Sequence, residues 1–221
     1  MKPILKVKQL EEADRLLLRR KLSHLAGLTY LLLLFHASSL YGVWKVSLAL
    51  TSFVLSASAF YTAYEILRVE GKPLRRLQRL WRLLGSPEGE TVQEYWNACW
   101  FGLSITLTLL ISLLLGDLSL TYIAGSAVIL GDGFSGLTGY FLGKHRIAFN
   151  PSKTLEGAVA GFLAAFLGGF LFTGNPMLSL LGALTGSAVE LYPSKLPDNL
   201  TITLTVTLIL LLAKILGGIF P

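Results

Sequence analysis

The chain has 221 residues, of which 53% are hydrophobic and 14% charged, with a formal net charge of +6 and a mean hydropathy of +0.63. Soluble domains carry about 25% charged residues, so this composition excludes an ordinary water-soluble protein. It predicts an all-α protein with several membrane-spanning helices. The charged first 21 residues lack the pattern of a cleavable signal peptide, and the single cysteine, Cys99, cannot form an internal disulfide.

Seven apolar segments reach or approach the length of about 20 residues that a helix needs to cross a hydrocarbon core. The sixth is short for a full span and fits a tilted, kinked or partial crossing, so six or eight spans are alternatives. We predict a single catalytic domain over residues 1–221. The predicted spans lie near residues 22–41, 46–67, 97–115, 119–143, 155–173, 177–191 and 200–219.

The basic residues predict the orientation in the membrane. Lys and Arg in short loops stay on the cytoplasmic side, and 17 of the 19 basic residues fall on one side of the predicted spans. Of the other two, Lys45 faces the opposite side and Lys214 lies in the last span. We therefore expect a protein of the cell membrane with its N-terminus in the cytoplasm and its C-terminus outside.

An amphipathic segment follows the second span, where residues 73–85 read PLRRLQRLWRLLG. Its leucines and Trp81 recur at helical spacing, while four arginines occupy the opposite face. This pattern predicts a helix that lies on the cytoplasmic membrane surface. Anchoring to anionic head groups explains the segment more simply than a catalytic role does.

A carboxylate, Asp132, lies near the middle of the fourth apolar segment. It costs about 2.5–3.5 kcal/mol there on insertion scales, so an acidic residue at this depth indicates a functional site. Gly136, Gly139 and Gly143 follow at four, seven and eleven residues and share its helix face. Packing through small residues explains the glycines but not the aspartate. We predict that Asp132 binds Mg²⁺, a hard cation that prefers oxygen ligands, and that the glycines let a ligand approach the backbone.

The loop before the fifth span is basic and reads GKHR at 143–146 and NPSKTLEG at 150–157. A helix N-terminus has free backbone N–H groups, so with Lys153 beside it this one is a candidate site for nucleotide phosphates. Retention of the loop in the cytoplasm, with Glu156 complementing the helix dipole, explains the same residues equally well. The segment lacks the glycine and the Ser or Thr of a Walker A loop.

Two further acidic residues fall on the same side as Asp132 in this topology. Glu190 ends the sixth span among apolar neighbours, which favours a ligand role for it. Asp198 and Asn199 precede the seventh span, where either residue fits an N-cap as well as it fits a ligand.

Arg20 and Lys21 stand at the entrance to the first span, with His24 one turn beyond Arg20 on the same face. Such a basic pair is most simply a juxtamembrane anchor. If Asp132 binds metal, Asp132→Asn should abolish activity and leave the fold intact or relieved of a cost. If Asp132 instead forms a buried ion pair with Arg20 or Lys21, the same change should destabilise the protein.

Together these segments resemble the dolichol kinase and phytol kinase family, which also includes CTP-dependent diacylglycerol kinases. The wider superfamily contains phosphatidate cytidylyltransferase, and the likeness covers nearly the whole chain. The matching elements are RRKLSHLAGL at 19–28, YEILR at 64–68, GDGFSGLTGYFLGKHRI at 131–147, NPSKTLEG at 150–157 and LPDNLTITL at 196–204.

The cytidylyltransferase branch ends in a longer signature, with a Lys-Arg pair and a Pro-Gly-His-Gly-Gly turn, and this signature is absent from the sequence. The resemblance therefore favours the kinase branch. Two departures bear on lipid preference more than on chemistry. Kinase members often have Ala where this chain has Phe134 or Ser135, and two aspartates where it has Pro197 and Asp198.

The resemblance implies transfer of the γ-phosphate of CTP to the hydroxyl of a membrane lipid alcohol, such as a polyprenol, a phytol-like alcohol or diacylglycerol. It also implies Mg²⁺ as cofactor and a site that faces the cytoplasm. Phosphoryl transfer depends mainly on positioning and charge neutralisation. The general base stays open between Asp132, Glu156 and His24. The implied catalytic residues are Asp132, Lys153, Glu156, Arg20 and Lys21; the nucleotide-binding residues are Gly131, Gly136, Gly139, Gly143, Lys144, His145, Arg146, Lys153, Thr154 and Asn199; the metal ligands are Asp132, Glu190 and Asp198.

Two other functions stay open. In a cytidylyltransferase, a lipid phosphate would attack the α-phosphate of CTP and release pyrophosphate. A small transporter would use Asp132 to relay ions or protons, but it should show broken helices from an internal repeat, and the sequence contains no convincing repeat. The expected partners are the lipid, CTP and the bilayer, with a homodimer as an open alternative and no nucleic acid. The sequence does not identify which lipid is used, and it does not show whether CTP is preferred to another nucleotide.

Overall fold

The computed structural model describes residue 18 and residues 21–22, 24–72 and 92–217. In this part the chain is mostly helical, which confirms the predicted helical fold. Arg20 and the predicted surface helix at 73–85 lie outside the described residues.

A series of α-helices and one β-hairpin make up the described part of the chain. Residues Ala127–Gly131 form one turn of π-helix, which joins the fourth and fifth helices into a continuous rod from Ser119 to Leu142. The helices are α1 (Leu28–Tyr41), α2 (Val43–Val69), α3 (Val92–Leu114), α4 (Ser119–Ser126), α5 (Asp132–Leu142), α6 (Leu155–Thr173), α7 (Pro176–Leu191) and α8 (Asp198–Gly217).

Within the described ranges, four helical segments are long and apolar enough to cross a membrane. They are Val43–Tyr64, Ser119–Leu142, Leu155–Thr173 and Asp198–Gly217. Three shorter apolar helices, Leu28–Tyr41, Cys99–Leu114 and Pro176–Leu191, coincide with the other predicted spans. The chain is therefore a membrane protein with several apolar helices, and the count of seven spans stays a prediction.

The rod from Ser119 to Leu142 lies at the centre of the bundle. Of its apolar window 78% is buried, against 17% to 33% for the other three candidate spans. Its first half buries Ile123 and Val128 against a core that includes Leu31 and Val206. A polar residue at one of the buried positions of this rod is consequently surrounded by protein rather than by lipid.

Glycines let α6 approach this rod closely. A Cβ placed on Gly161 would lie 2.7 Å from the Gly131 carbonyl oxygen and 2.8 Å from the Ser135 Cβ. A Cβ on Gly157 would lie 2.6 Å from the Ser135 carbonyl oxygen. Larger side chains would separate the two helices, so these glycines permit the backbone-to-backbone packing that fixes α6 against α5.

The loop between α5 and α6 folds into a short antiparallel β-hairpin, which the sequence pattern did not predict. Strand β1 (Arg146–Ile147) pairs with strand β2 (Asn150–Thr154). Thr154 then caps α6, because its hydroxyl accepts a hydrogen bond from the Gly157 N–H at 3.2 Å. The hairpin places Lys153 directly before this cap.

Candidate functional site

Asp132 begins α5, directly after the π-helical turn, and is only 4% exposed. Its Oδ1 accepts a hydrogen bond from the Lys21 ammonium at 2.7 Å, and its Oδ2 lies 3.3 Å from His24 Nδ1. Lys21 also donates to the Asp132 carbonyl oxygen at 3.1 Å. Because Lys21 is buried as well, the carboxylate and the ammonium compensate each other away from solvent.

Gly136 makes room for this lysine. A Cβ on Gly136 would overlap the Lys21 Cε and would lie 2.7 Å from its Cδ. The Lys21 side chain thus crosses bare backbone on its way to Asp132. The close approach that the glycine strip predicted is made here by a side chain of the protein itself.

Other predicted nucleotide-binding glycines also face protein atoms. A Cβ on Gly139 would lie 3.0 Å from the Thr154 hydroxyl, and one on Gly143 would lie 2.8 Å from the same atom. Gly131 faces the Ala165 Cβ, at 3.3 Å from its own added Cβ. Gly139 and Gly143 thus pack the end of α5 against Thr154 at the start of α6, whereas Gly131 packs the π-helical turn against the middle of α6. The role of these glycines in nucleotide binding stays a prediction.

Lys153 lies between three carboxylates that come from three different helices. Its Nζ is 2.8 Å from Glu190 Oε1, 3.7 Å from Asp198 Oδ2 and 3.9 Å from Asp132 Oδ1. Glu190 is buried near the end of α7, whereas Asp198, the first residue of α8, is half exposed. One ammonium on the hairpin thus joins α5, α7 and α8.

Ser135 was not singled out by the sequence pattern. It follows Asp132 by one helical turn, is buried, and donates a hydrogen bond from its hydroxyl to Glu190 Oε1 at 2.6 Å. Residues three apart share a helix face, so its spacing from Asp132 was the available signal. Lys21, Asp132, Ser135, Lys153, Glu190 and Asp198, with His24, are called the carboxylate cluster below.

The cluster neutralises most of its own charge. Burial alone would lower the pKa of the Lys153 ammonium, but the carboxylates of Glu190 and Asp132 and the hydrogen bond to Glu190 raise the pKa above its ordinary 10.5. Lys153 is therefore a cation at physiological pH. By formal charge alone, the two lysines Lys153 and Lys21 face three carboxylates, which leaves one negative charge in excess before His24 is counted.

Glu156 does not join the carboxylate cluster. Its carboxylate accepts hydrogen bonds from the backbone N–H groups of Lys144 at 3.1 Å and His145 at 3.3 Å, and it lies 2.6 Å from His145 Nδ1. The Arg146 guanidinium donates to the Pro151 carbonyl oxygen at 3.4 Å. The predicted nucleotide-binding residues Lys144, His145 and Arg146 thus form an exposed second group, which Glu156 ties to α6.

Asn199 lies inside the first turn of α8, because this helix begins at Asp198. Its carbonyl oxygen accepts hydrogen bonds from the Thr203 hydroxyl at 2.6 Å and the Ser104 hydroxyl at 3.3 Å. The second bond attaches the start of α8 to α3, and so helps to place Asp198 beside Lys153.

The donor types suit Mg²⁺, which often takes one or two carboxylates together with substrate phosphates. In the described part of the chain, however, no group of three or more His, Cys, Asp or Glu residues is arranged to hold a metal. Lys153 lies between Asp132, Glu190 and Asp198, and both oxygens of Asp132 face cationic groups or His24. The residues fit a magnesium ion that brings phosphate ligands, and not one caged by protein alone.

The position of the cluster allows it to serve two kinds of reactant. The start of α6, the end of α7 and the start of α8 meet there, and Asp198 reaches solvent, while Asp132 lies inside a candidate membrane span. Fixed ammonium groups can bind a polyphosphate and neutralise charge that develops during its transfer. A water-soluble phosphate donor and a membrane-resident acceptor can therefore meet at this site.

Comparison with protein families places these residues in a known context. The model of a family described as the cytidylyltransferase family matches residues 7–221, which include the whole carboxylate cluster. No curated protein and no solved structure shows significant similarity to the chain. The match confirms the superfamily that the sequence resembles and does not separate lipid kinases from CDP-lipid synthases.

Proposed function

Because the chain belongs to the cytidylyltransferase family, we propose that it is a CTP-dependent lipid kinase, which transfers the γ-phosphate of CTP to the hydroxyl of a membrane lipid alcohol. The family implies CTP and a lipid as substrates. The observation that carries the choice of a kinase is the segment that follows Glu190. It enters α8 through LPDNLT at 196–201, as in the kinase branch, and the Lys-Arg and Pro-Gly-His-Gly-Gly signature of the other branch is absent from the sequence.

In the proposed reaction the lipid hydroxyl oxygen forms a bond to the γ-phosphorus. The bond from that phosphorus to the oxygen that bridges it to the β-phosphate breaks, and CDP leaves. Lys153 and Lys21 would neutralise phosphate oxygens, since the side-chain nitrogens of both lie in the cluster, 2.8 Å and 2.7 Å from a carboxylate oxygen. One or two of Asp132, Glu190 and Asp198 would hold magnesium, and the bound ion would supply further neutralisation of phosphate charge.

The proton of the lipid hydroxyl needs an acceptor. Glu156 is a poor candidate, because its carboxylate already accepts backbone hydrogen bonds from the hairpin. Asp132 and His24 lie together inside the cluster, 3.3 Å apart, and are the better candidates. We propose that this pair receives the proton, and that the cluster faces the cytoplasm, where CTP is found.

Position-specific labelling of CTP tests the proposal. Purified protein in detergent is given Mg²⁺, a panel of polyprenols, phytol, geranylgeraniol and diacylglycerol, and CTP labelled at either the α- or the γ-phosphate. A kinase transfers the γ-label to lipid and leaves the α-label in CDP. Release of the γ-label only as pyrophosphate would exclude a kinase.

The second candidate is a CDP-lipid synthase, which the family match favours as much as it favours a kinase. For this activity the lipid panel must include phosphatidic acid, because a lipid phosphate is then the nucleophile. Appearance of the α-label in lipid, with labelled pyrophosphate from γ-labelled CTP, would establish the synthase in place of the kinase.

A further inference from the structure

We infer that Ser135 is a positioning residue of the carboxylate cluster. Together with Lys153 it holds one oxygen of Glu190, Oε1, and so fixes the orientation of the carboxylate that is proposed to hold the metal. The inference rests on the proposed use of Mg²⁺ and CTP, and it holds for either a kinase or a CDP-lipid synthase.

Both contacts of Glu190 described above fall on the same oxygen. The Ser135 hydroxyl donates to Oε1 at 2.6 Å and the Lys153 ammonium donates to it at 2.8 Å. Glu190 is only 5% exposed, so water cannot readily replace a lost donor. Hydrogen bonds to a charged group are short and strong, and two of them on one oxygen restrict the rotation of the carboxylate.

Ser135 is well suited to this task because helix packing fixes its position. Its Cβ and its carbonyl oxygen lie against Gly161 and Gly157 of α6, where neither glycine has room for a side chain. A serine hydroxyl is one atom beyond Cβ, so its place follows from the backbone with little freedom of its own. Lys153, by contrast, reaches Glu190 through a long side chain on a hairpin.

Ser135 also ties Glu190 to Asp132. Both Ser135 and Asp132 lie on α5, three residues apart, whereas Glu190 lies on α7. The hydroxyl therefore fixes the relative positions of two carboxylates that are proposed to face the same cation. Replacing a residue that orients a metal ligand in this way typically lowers metal affinity or activity by about 10–100-fold.

The test compares Ser135→Ala with Ser126→Ala in the full-length protein. Ser126 lies in the same rod, is fully buried, and has no hydrogen-bond partner for its hydroxyl in the described part of the chain. It therefore controls for the loss of a buried serine hydroxyl. The melting temperature in detergent with saturating CTP is measured against Mg²⁺ concentration, and turnover is measured over the same series.

For Ser135→Ala we expect the Mg²⁺ concentration of half-maximal stabilisation to rise by about tenfold or more, with a parallel shift for turnover. Ser126→Ala should match the unmodified protein. The shift should be absent when Ser135→Ala is added to Glu190→Gln, because a residue that acts through Glu190 has no further effect once that carboxylate is lost.

Three results would overturn the inference. One is an unchanged Mg²⁺ midpoint in Ser135→Ala, even if this variant melts earlier without ligand, because that is what a merely structural serine predicts. Another is an equal shift in the Glu190→Gln background. If the unmodified protein shows no stabilisation by Mg²⁺ and CTP together, the proposed function fails as well, and this outcome is read from the unmodified protein alone.

Discussion

Asp132→Asn separates the structural from the functional role of the buried carboxylate. Breaking a buried ion pair by removal of one partner costs about 3–5 kcal/mol, because the remaining charge is uncompensated. Here Lys21 keeps its bond to the Asp132 carbonyl oxygen, and the new amide oxygen can still accept a hydrogen bond. We therefore expect the free energy of unfolding to fall by about 3 kcal/mol, the lower end of this range. For a chain of this size that lowers the melting temperature by about 6–12 °C.

This expectation reverses the one that the sequence gives for a metal-bound Asp132, where the amide would relieve a cost. The difference arises because Lys21 crosses Gly136 to reach the carboxylate, a contact that no spacing in the sequence reveals. Asp132→Asn should also abolish product formation, since the cluster then lacks the carboxylate that faces Lys21, His24 and Lys153.

The assay is thermal melting in detergent beside the labelled-CTP assay, with a double variant as the matched control. Lys21→Met/Asp132→Asn removes both charges, and replacing a buried pair by neutral groups is often nearly neutral for stability. The double variant should recover most of the lost melting temperature and none of the activity. Our reasoning is refuted if Asp132→Asn melts like the unmodified protein, or if the double variant melts below both single variants.

Three other predictions follow from the same contacts. Lys153→Ala should weaken CTP binding by about tenfold or more, because a charge-assisted contact is lost, whereas Lys72→Ala, which removes an exposed lysine just after α2, should change it little; equal effects would contradict this assignment. In a Cys99→Ser background, a Lys153→Cys variant should react with an impermeant maleimide only after the cells are permeabilised, and labelling of intact cells would reverse the proposed orientation. Lys214→Met should destabilise the protein by up to about 3 kcal/mol, because Lys214 is buried and paired with the partly exposed Asp117. Turnover per folded molecule should not fall, because this pair lies at the end of the bundle away from the carboxylate cluster. An unchanged melting temperature would show that the pair contributes no stability.

The helical plan could be predicted closely from the sequence, because hydropathy along the chain directly reflects which segments avoid water. The predicted segment 155–173 has the bounds of α6, Leu155–Thr173, and the predicted 177–191 differs from α7, Pro176–Leu191, by one residue. The first segment, 22–41, is interrupted, because the helix is broken by a turn at Gly27 and resumes at Leu28. Gly27 packs against Ile129 of the rod, a tertiary contact that hydropathy does not record.

The sequence indicates which acidic residues belong to the candidate site, but not which residues they contact. Asp132 and Glu190 stand out because charged residues in apolar segments are costly. Their pairing with Lys153 depends on a hairpin whose longer strand has only five residues and contains Pro151, too short and too irregular to show an alternating pattern. The same loop supplies backbone N–H groups that donate hydrogen bonds to the Glu156 carboxylate, so Glu156 stabilises the loop instead of joining the carboxylate cluster.

The π-helical turn explains why spacing within α5 was informative while its relation to the rest of the rod was not. A regular helix turns by about 100° per residue, and a π-turn accommodates roughly one residue more than an α-turn. If the buried face of α4 is extended past Ala127–Gly131 with the regular helical period, the predicted direction of the Asp132 side chain is therefore wrong by about 100°. Inside α5 the regular period resumes, so Asp132, Ser135 and Gly136 share a face, as their spacing requires. The turn thus sets which face of the rod carries Asp132 and Ser135, and a pattern with one fixed period cannot contain that information.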